Sequence, residues 1–445
     1  MIDYTLLLNI LIGIALLLVL ILRVKLPAFI ALLIASIVSG MLAGLDSNEM
    51  INTIREGMGG TLGFVATVVG LGAIFGGILE HSGGATAIAE YLLKRLGIEK
   101  APIAVMIAGF VIAIPVFFDV AFIILIPVIY AMQRKTKKSL LLYAIPLLAG
   151  LAATHTFIPP TPGPIAVADL VNADMGWVIL IGIVAGFPAV LISGLFFGKY
   201  IAKKIHIDAP EHTGAPLSLS LPDAKFIFAI IAVPIVLILL STFVGSDILA
   251  IENESINDVI ALVGHPFTAL IIANLIAWYG LGILRGVKSS ELLKISSRSF
   301  APAGTIILLT GAGGVFKQVL INTGSGEMLA SSLSEVGFPI LWFGFLTAAL
   351  VRIIQGSATV AMITAAGLVA PLLPGTDLYG ASLACLVIAI ASGASIFSHV
   401  NDSGFWLVGQ YLNLTEKQTF RSWSVMTTLL ALTGFGMAML IESFL

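Results

Sequence analysis

Apolar residues fall along this chain in long blocks, not in alternation. Blocks long enough for a bilayer core, about 20 residues, cover 4–22, 27–45, 58–79, 140–173, 177–198, 225–244, 260–284, 301–321, 378–412 and 424–444. They predict ten membrane-spanning helices. The first block has no basic region or small-residue cleavage site, so it reads as a retained span. Two more apolar stretches, 101–132 and 338–373, are interrupted near the middle, by Pro115 and Asp119 and by Gln355 and Gly356. They read as re-entrant helical hairpins that return to the side they came from. Two spans are also broken. Residues 140–173 carry Pro159-Pro160-Thr161-Pro162-Gly163-Pro164, and prolines so dense cannot stay α-helical. Residues 378–412 carry Ser398-His399-Val400-Asn401-Asp402-Ser403-Gly404. The amphipathic stretches 84–96 and 325–335 predict surface helices. The polar, Pro-containing segment 206–223 has no apolar period and predicts a cytoplasmic linker.

Composition sharpens this picture. Of 445 residues, 59% are hydrophobic and only 10% charged, against about 25% charged in soluble domains. Mean hydropathy is +1.10. That excludes a soluble enzyme, a disordered chain and, with a net charge of −2, a nucleic-acid binder. The lone Cys385 can form neither an intrachain disulfide nor a cysteine metal site. With the N-terminus outside and both hairpins re-entrant, every basic residue except Arg55, Lys317 and Arg352 falls in a cytoplasmic loop. The outer loops hold acids such as Asp46, Glu49, Asp174 and Asp258. This satisfies the positive-inside rule and puts both termini outside.

The two halves echo each other. Gly70-Leu71-Gly72-Ala73-Ile74-Phe75 aligns with Gly311-Ala312-Gly313-Gly314-Val315-Phe316, and the same offset carries Gly163 onto Gly404. The expected layout is an all-α polytopic protein. A first repeat spans 1–205 (hairpin 101–132, broken span 140–173) and a linker spans 206–223. A second repeat spans 224–445 (hairpin 338–373, broken span 378–412). Each half has an odd number of spans, so the repeats are inverted, an architecture of secondary transporters.

The polar breaks should meet near the midplane. Freed backbone groups there need protein, water or substrate as partners, and half-helix N-termini suit a carboxylate. A small, polar, anionic substrate fits. Asp119 lies in an apolar hairpin, where a charge is functional by default; its structural alternative is a helix cap. His155, His399 and Asp402 are candidates for carrying a proton, against a structural hydrogen-bonding role for each. Arg352 can pair with a substrate carboxylate, with a protein acid, or reach the interface. Thr161 and Gly163 belong to the proline break. No metal-ligand cluster and no nucleophile–base–acid set is present in the sequence, so neither a metal nor an enzymatic activity is expected.

Several motifs run in order along the chain: Gly77-Ile78-Leu79-Glu80-His81-Ser82-Gly83-Gly84, Pro115-Val116-Phe117-Phe118-Asp119 and Pro159 to Pro164. Gln355-Gly356-Ser357-Ala358-Thr359-Val360-Ala361 and Ser398 to Trp406 follow. In these motifs the chain resembles the gluconate permease family of proton symporters, within a wider superfamily of anion symporters. The resemblance implies proton-coupled import of gluconate or a similar sugar acid across a bacterial inner membrane. It also implies a homodimer in which a transport domain moves against a scaffold, an elevator-like alternating access. Carried over, the substrate contacts are Phe118, Asp119, Thr154, His155, Ser357, Thr359, Ser398 and Asn401, with His399 and Asp402 beside them. Family members often carry His where this chain has Thr161. No cofactor beyond the proton gradient is implied. A D-serine or other small amino-acid symporter, sodium coupling, a channel and a membrane-embedded enzyme are the alternatives.

Overall fold

A computed structural model describes residues 12–445 except 14, 18, 21–22, 211–220, 246–247, 250, 252, 325–338 and 400–401. Part of the predicted first span, the predicted helix 325–335, most of the linker and Asn401 therefore lie outside the described residues. Among those described, the chain is helical and contains no strand. Six helical segments have the length and apolar composition to cross a membrane, and shorter apolar helices lie between them.

Helix α1 (Ala28–Leu42) leads into α2 (Ser47–His81). The apolar block that marks α2 begins at residue 58, yet the helix starts eleven positions earlier. A capping box explains this: Asp46 accepts from the backbone of Asn48 and Glu49, and Glu49 accepts from the Asp46 backbone. Helix α3 (Gly84–Leu96) is the expected amphipathic helix and buries Ala85, Ile88 and Ala89. Next come α4 (Ala101–Ile112) and α5 (Phe118–Thr136), separated by an irregular turn. Twelve residues make α4 roughly 18 Å long, short of the roughly 30 Å core of a bilayer. The first broken helix follows as α6 (Leu141–Phe157) and α7 (Pro162–Leu170), then α8 (Met175–Lys204).

The second half starts differently, with an extra short helix before its long one, and then follows a similar succession among the described residues. Helices α9 (Ala224–Gly245), α10 (Glu254–Gly264) and α11 (Pro266–Arg285) precede the long α12 (Ser289–Asn322). Then come α13 (Ile340–Gln355) and α14 (Ala358–Val369), the broken pair α15 (Ala381–Ser395) and α16 (Ser403–Tyr411), and α17 (Glu416–Glu442). The apolar block 260–284 is not one helix. Pro266 cannot continue α10, and His265 instead caps α11, its Nδ1 accepting from Phe267 N at 3.3 Å.

The packing places the breaks at the centre. α2 and α12 form the most extensively packed helix pair. They touch where Gly57 meets Gly314: a methyl group on Gly57 would stand 2.6 Å from the Gly314 carbonyl oxygen. The first arm of each helix–break–helix unit lies on the broken helix of its own half, α4 on α6 and α13 on α15. α6 and α15 are buried on nearly every face, as expected for helices apolar all round.

Candidate functional site

Four chain breaks converge on one cavity of about 380 Å³, within the size range of small-molecule sites. The turn before α5 supplies Phe117, Phe118 and Asp119, and the end of α6 supplies His155 and Thr156. The α13–α14 turn supplies Arg352 and Gln355 to Thr359. The start of α16 supplies Asp402, Ser403 and Gly404, and α17 closes the wall with Trp423, Thr427 and Leu430.

Local sequence explains each break. α13 ends at Gly356, whose φ of 93° is left-handed and suits glycine. Gly356 N donates to the Arg352 carbonyl at 2.9 Å. Ser357 then caps α14, its hydroxyl accepting from Val360 N at 3.3 Å. Asp119 sits in the first turn of α5, where a carboxylate complements the helix dipole. The N-cap there is Phe117, which makes no side-chain cap bond, so the capping alternative for Asp119 does not hold. In the first broken helix Ile158 turns to extended backbone, the Pro159–Pro160 bond is cis, and Thr161 donates to the Ile158 carbonyl at 2.6 Å. In the second, Asp402 caps α16, its Oδ1 accepting from Gly404 N at 3.1 Å.

The charged centre is a buried pair. Arg352, only 5% exposed, donates to Asp402 Oδ2 at 2.5 Å. It also donates to the carbonyl of Gly356, tying the α13–α14 turn to the second broken helix. Ser398 donates to the same Asp402 oxygen. Among the described residues, the Arg352 Nε and the His155 Nδ1 are buried without a protein partner, and such groups call for a ligand or another explanation.

The remaining expected residues lie around this cavity, not in its wall. Thr154 is fully buried. Thr161 lines a small separate void with Pro115, Phe117 and Pro160. Gly163 packs on Met362. Ser398 is buried behind Asp402. His399 Nε2 lies 2.6 Å from the carbonyl of Ile353. Sequence reading missed Trp423, because the last apolar block seemed to begin at residue 424. The helix in fact starts at Glu416 and passes through a π turn, Phe420–Ser424. It also missed Gln355, although that residue stood in the quoted motif.

The family model for GntP family permeases matches residues 5–444. The chain belongs to the GntP permease family. It is 41% identical over 424 residues to the low-affinity gluconate transporter of Escherichia coli K12, covering 95% of each chain. It is 37% identical to a gluconate permease of Pseudomonas aeruginosa, over 99% of this chain and 98% of the relative. Against the high-affinity gluconate transporter of Escherichia coli K12 the identity is 35%, over 95% and 96% of the two chains. Among solved structures, the YdaH transporter of Alcanivorax borkumensis superposes with a TM-score of 0.67 at 14% identity, covering 94% of this chain and 98% of the other. That likeness concerns the fold. The GntP family member is thus a multi-pass membrane permease and not an enzyme.

Proposed function

We propose that this permease imports gluconate or a similar sugar acid together with protons, by elevator-like alternating access. The observation that carries the reading is the cavity itself: a buried arginine, two acids and a histidine among hydroxyls and half-helix N-termini. A carboxylate substrate finds its counter-charge in Arg352, which Asp402 holds meanwhile. Protonation of Asp402 frees the guanidinium for the substrate, so proton and anion arrive together. Asp119 is a second proton carrier on this reading, with His155 and His399 close by. Ser357 and Thr359 face the polyol hydroxyls, as Asn401 does on the family pattern. The names of the curated relatives support gluconate as substrate.

The like succession of long helix, helix pair, broken helix and closing helix in the two halves supports inverted repeats with two re-entrant hairpins. The distribution of basic residues supports both termini outside a bacterial inner membrane. A homodimer, with α2 and α12 in the scaffold, completes the proposal.

Uptake of labelled gluconate into proteoliposomes, with and without an inward proton gradient, tests it. Accumulation that requires the gradient is expected. Uptake indifferent to protons but dependent on Na⁺ would replace proton coupling, and competition by D-serine alone would replace the substrate. Asp119→Asn is expected to lose accumulation while keeping gluconate exchange across the membrane; unchanged accumulation removes Asp119 from coupling.

A further inference from the structure

Trp423 and Ser398 form a buried chain that ends on Asp402. The indole Nε1 donates to Ser398 Oγ at 2.6 Å, and Ser398 Oγ donates to Asp402 Oδ2. Arg352 donates to that same oxygen at 2.5 Å. Gly404 N holds the other oxygen at 3.1 Å. An indole N–H and a guanidinium can only donate, whereas a hydroxyl can donate or accept. Among the side chains that donate in this hydrogen-bonded chain, Ser398 alone can also accept.

Its backbone is held on both sides. Ser398 N donates to Thr427 Oγ1 at 3.2 Å, and Ser424 Oγ donates to the Ser398 carbonyl. A change in the charge of Asp402 is thus taken up by rotation of the hydroxyl, and next by the indole that donates to it. The indole is 3% exposed, and its ring lies 5.5 Å from that of Phe118 at the α5 turn. Both rings line the cavity. The indole sits in the π turn of α17, a helix distortion often found at functional sites.

We infer that Ser398 and Trp423 are positioning residues that carry the charge state of Asp402 to the aromatic wall of the cavity. With Asp402 ionised, the hydroxyl points to the carboxylate and the indole is held against Phe118. With Asp402 protonated, the carboxyl becomes a donor, the Ser398 hydroxyl turns away from it, and the wall relaxes. The wall presents an apolar face to the C–H side of a polyhydroxylated carboxylate, so substrate fit follows protonation. Arg352 from α13 contacts Asp402, Asp119 from α5 and His155 from α6 line the same cavity, and His399 from the Asp402 loop is turned to the Ile353 carbonyl. α17 adds no charged side chain to the cavity.

This inference rests on Asp402 taking the proton, but its test needs no substrate. A variant keeping Trp423 as its sole tryptophan, with Trp177, Trp278, Trp342 and Trp406 changed to Phe, is placed in nanodiscs and its emission is followed with pH. The expected result is an emission shift that disappears in Asp402→Asn and in Ser398→Ala. Emission that is flat with pH, or a shift that survives either substitution, overturns the relay. Trp423→Phe in the otherwise native chain keeps an aromatic ring, though a smaller one, and removes the N–H. Its ratio of gluconate uptake with and without the proton gradient should fall about fivefold, the size of one lost hydrogen bond. A native ratio at native membrane level overturns the relay as well. Failure of the native chain to move gluconate at all, with the emission shift intact, counts against the substrate and not against the relay.

Discussion

The two broken helices solve one problem with different chemistry. Both interrupt a buried helix and leave backbone groups that lipid cannot satisfy. The α6–α7 break does it by subtraction: prolines 159, 160, 162 and 164 remove N–H donors, and Thr161 closes onto the Ile158 carbonyl. The α15–α16 break does it by addition: Ser398, Asp402, Arg352, Trp423, Ser424 and Thr427 satisfy one another. A break made by subtraction is a rigid shape. A break made by addition depends on protonation and on competing ligands. On the proposed function, the first break then contributes shape, and the second contributes a charge that protonation can change.

Substitutions can separate these roles. Arg352→Ala should have the largest effect, since it leaves Asp402 buried without its cation. Losing one partner of a buried pair costs about 3–5 kcal/mol, so gluconate uptake should fall at least a hundredfold on that scale. The double variant Arg352→Met with Asp402→Leu should regain membrane level without uptake. If the double variant transports normally, the charge of the second break is structural only. Gly356→Ala should come next. Its φ of 93° costs a side chain about 1–2 kcal/mol, which thermal unfolding in detergent would register as a lower midpoint. Uptake at native protein level should drop only severalfold. Thr161→Val should be the mildest, losing one neutral hydrogen bond worth about 1 kcal/mol. Its uptake and proton dependence should match the native chain. A changed proton dependence would show that the first break also takes part in coupling.

Much of this was legible in the sequence. Proline density, glycine and isolated charges mark breaks because an apolar helix has few reasons to contain them; three of the marked breaks line the cavity, and the helix end before the proline break supplies His155 and Thr156. Helix ends were harder to read. The polar first turns of α2 are helical because of a cap at Asp46 and Glu49, which hydropathy does not register. The split at Pro266 was hidden by apolar residues on both sides. Trp423 escaped because its place depends on a π turn, and no residue pattern announces one. The exclusion of Thr154 from the wall is a matter of helix rotation, and that of Ser398 of how the irregular break folds back on Asp402, which one sequence leaves open.

The Arg352–Asp402 pair also has an electrical consequence. Its charges cancel within one contact of 2.5 Å. Moving one uncancelled charge through the membrane field costs or yields about 2.3 kcal/mol per 100 mV. On the proposed elevator-like mechanism, a carrier domain holding this pair would cross the field without that force on it. On the same proposal, the voltage sensitivity of the empty carrier would fall to groups such as Asp119, and the current per turnover would report how many protons neutralise them.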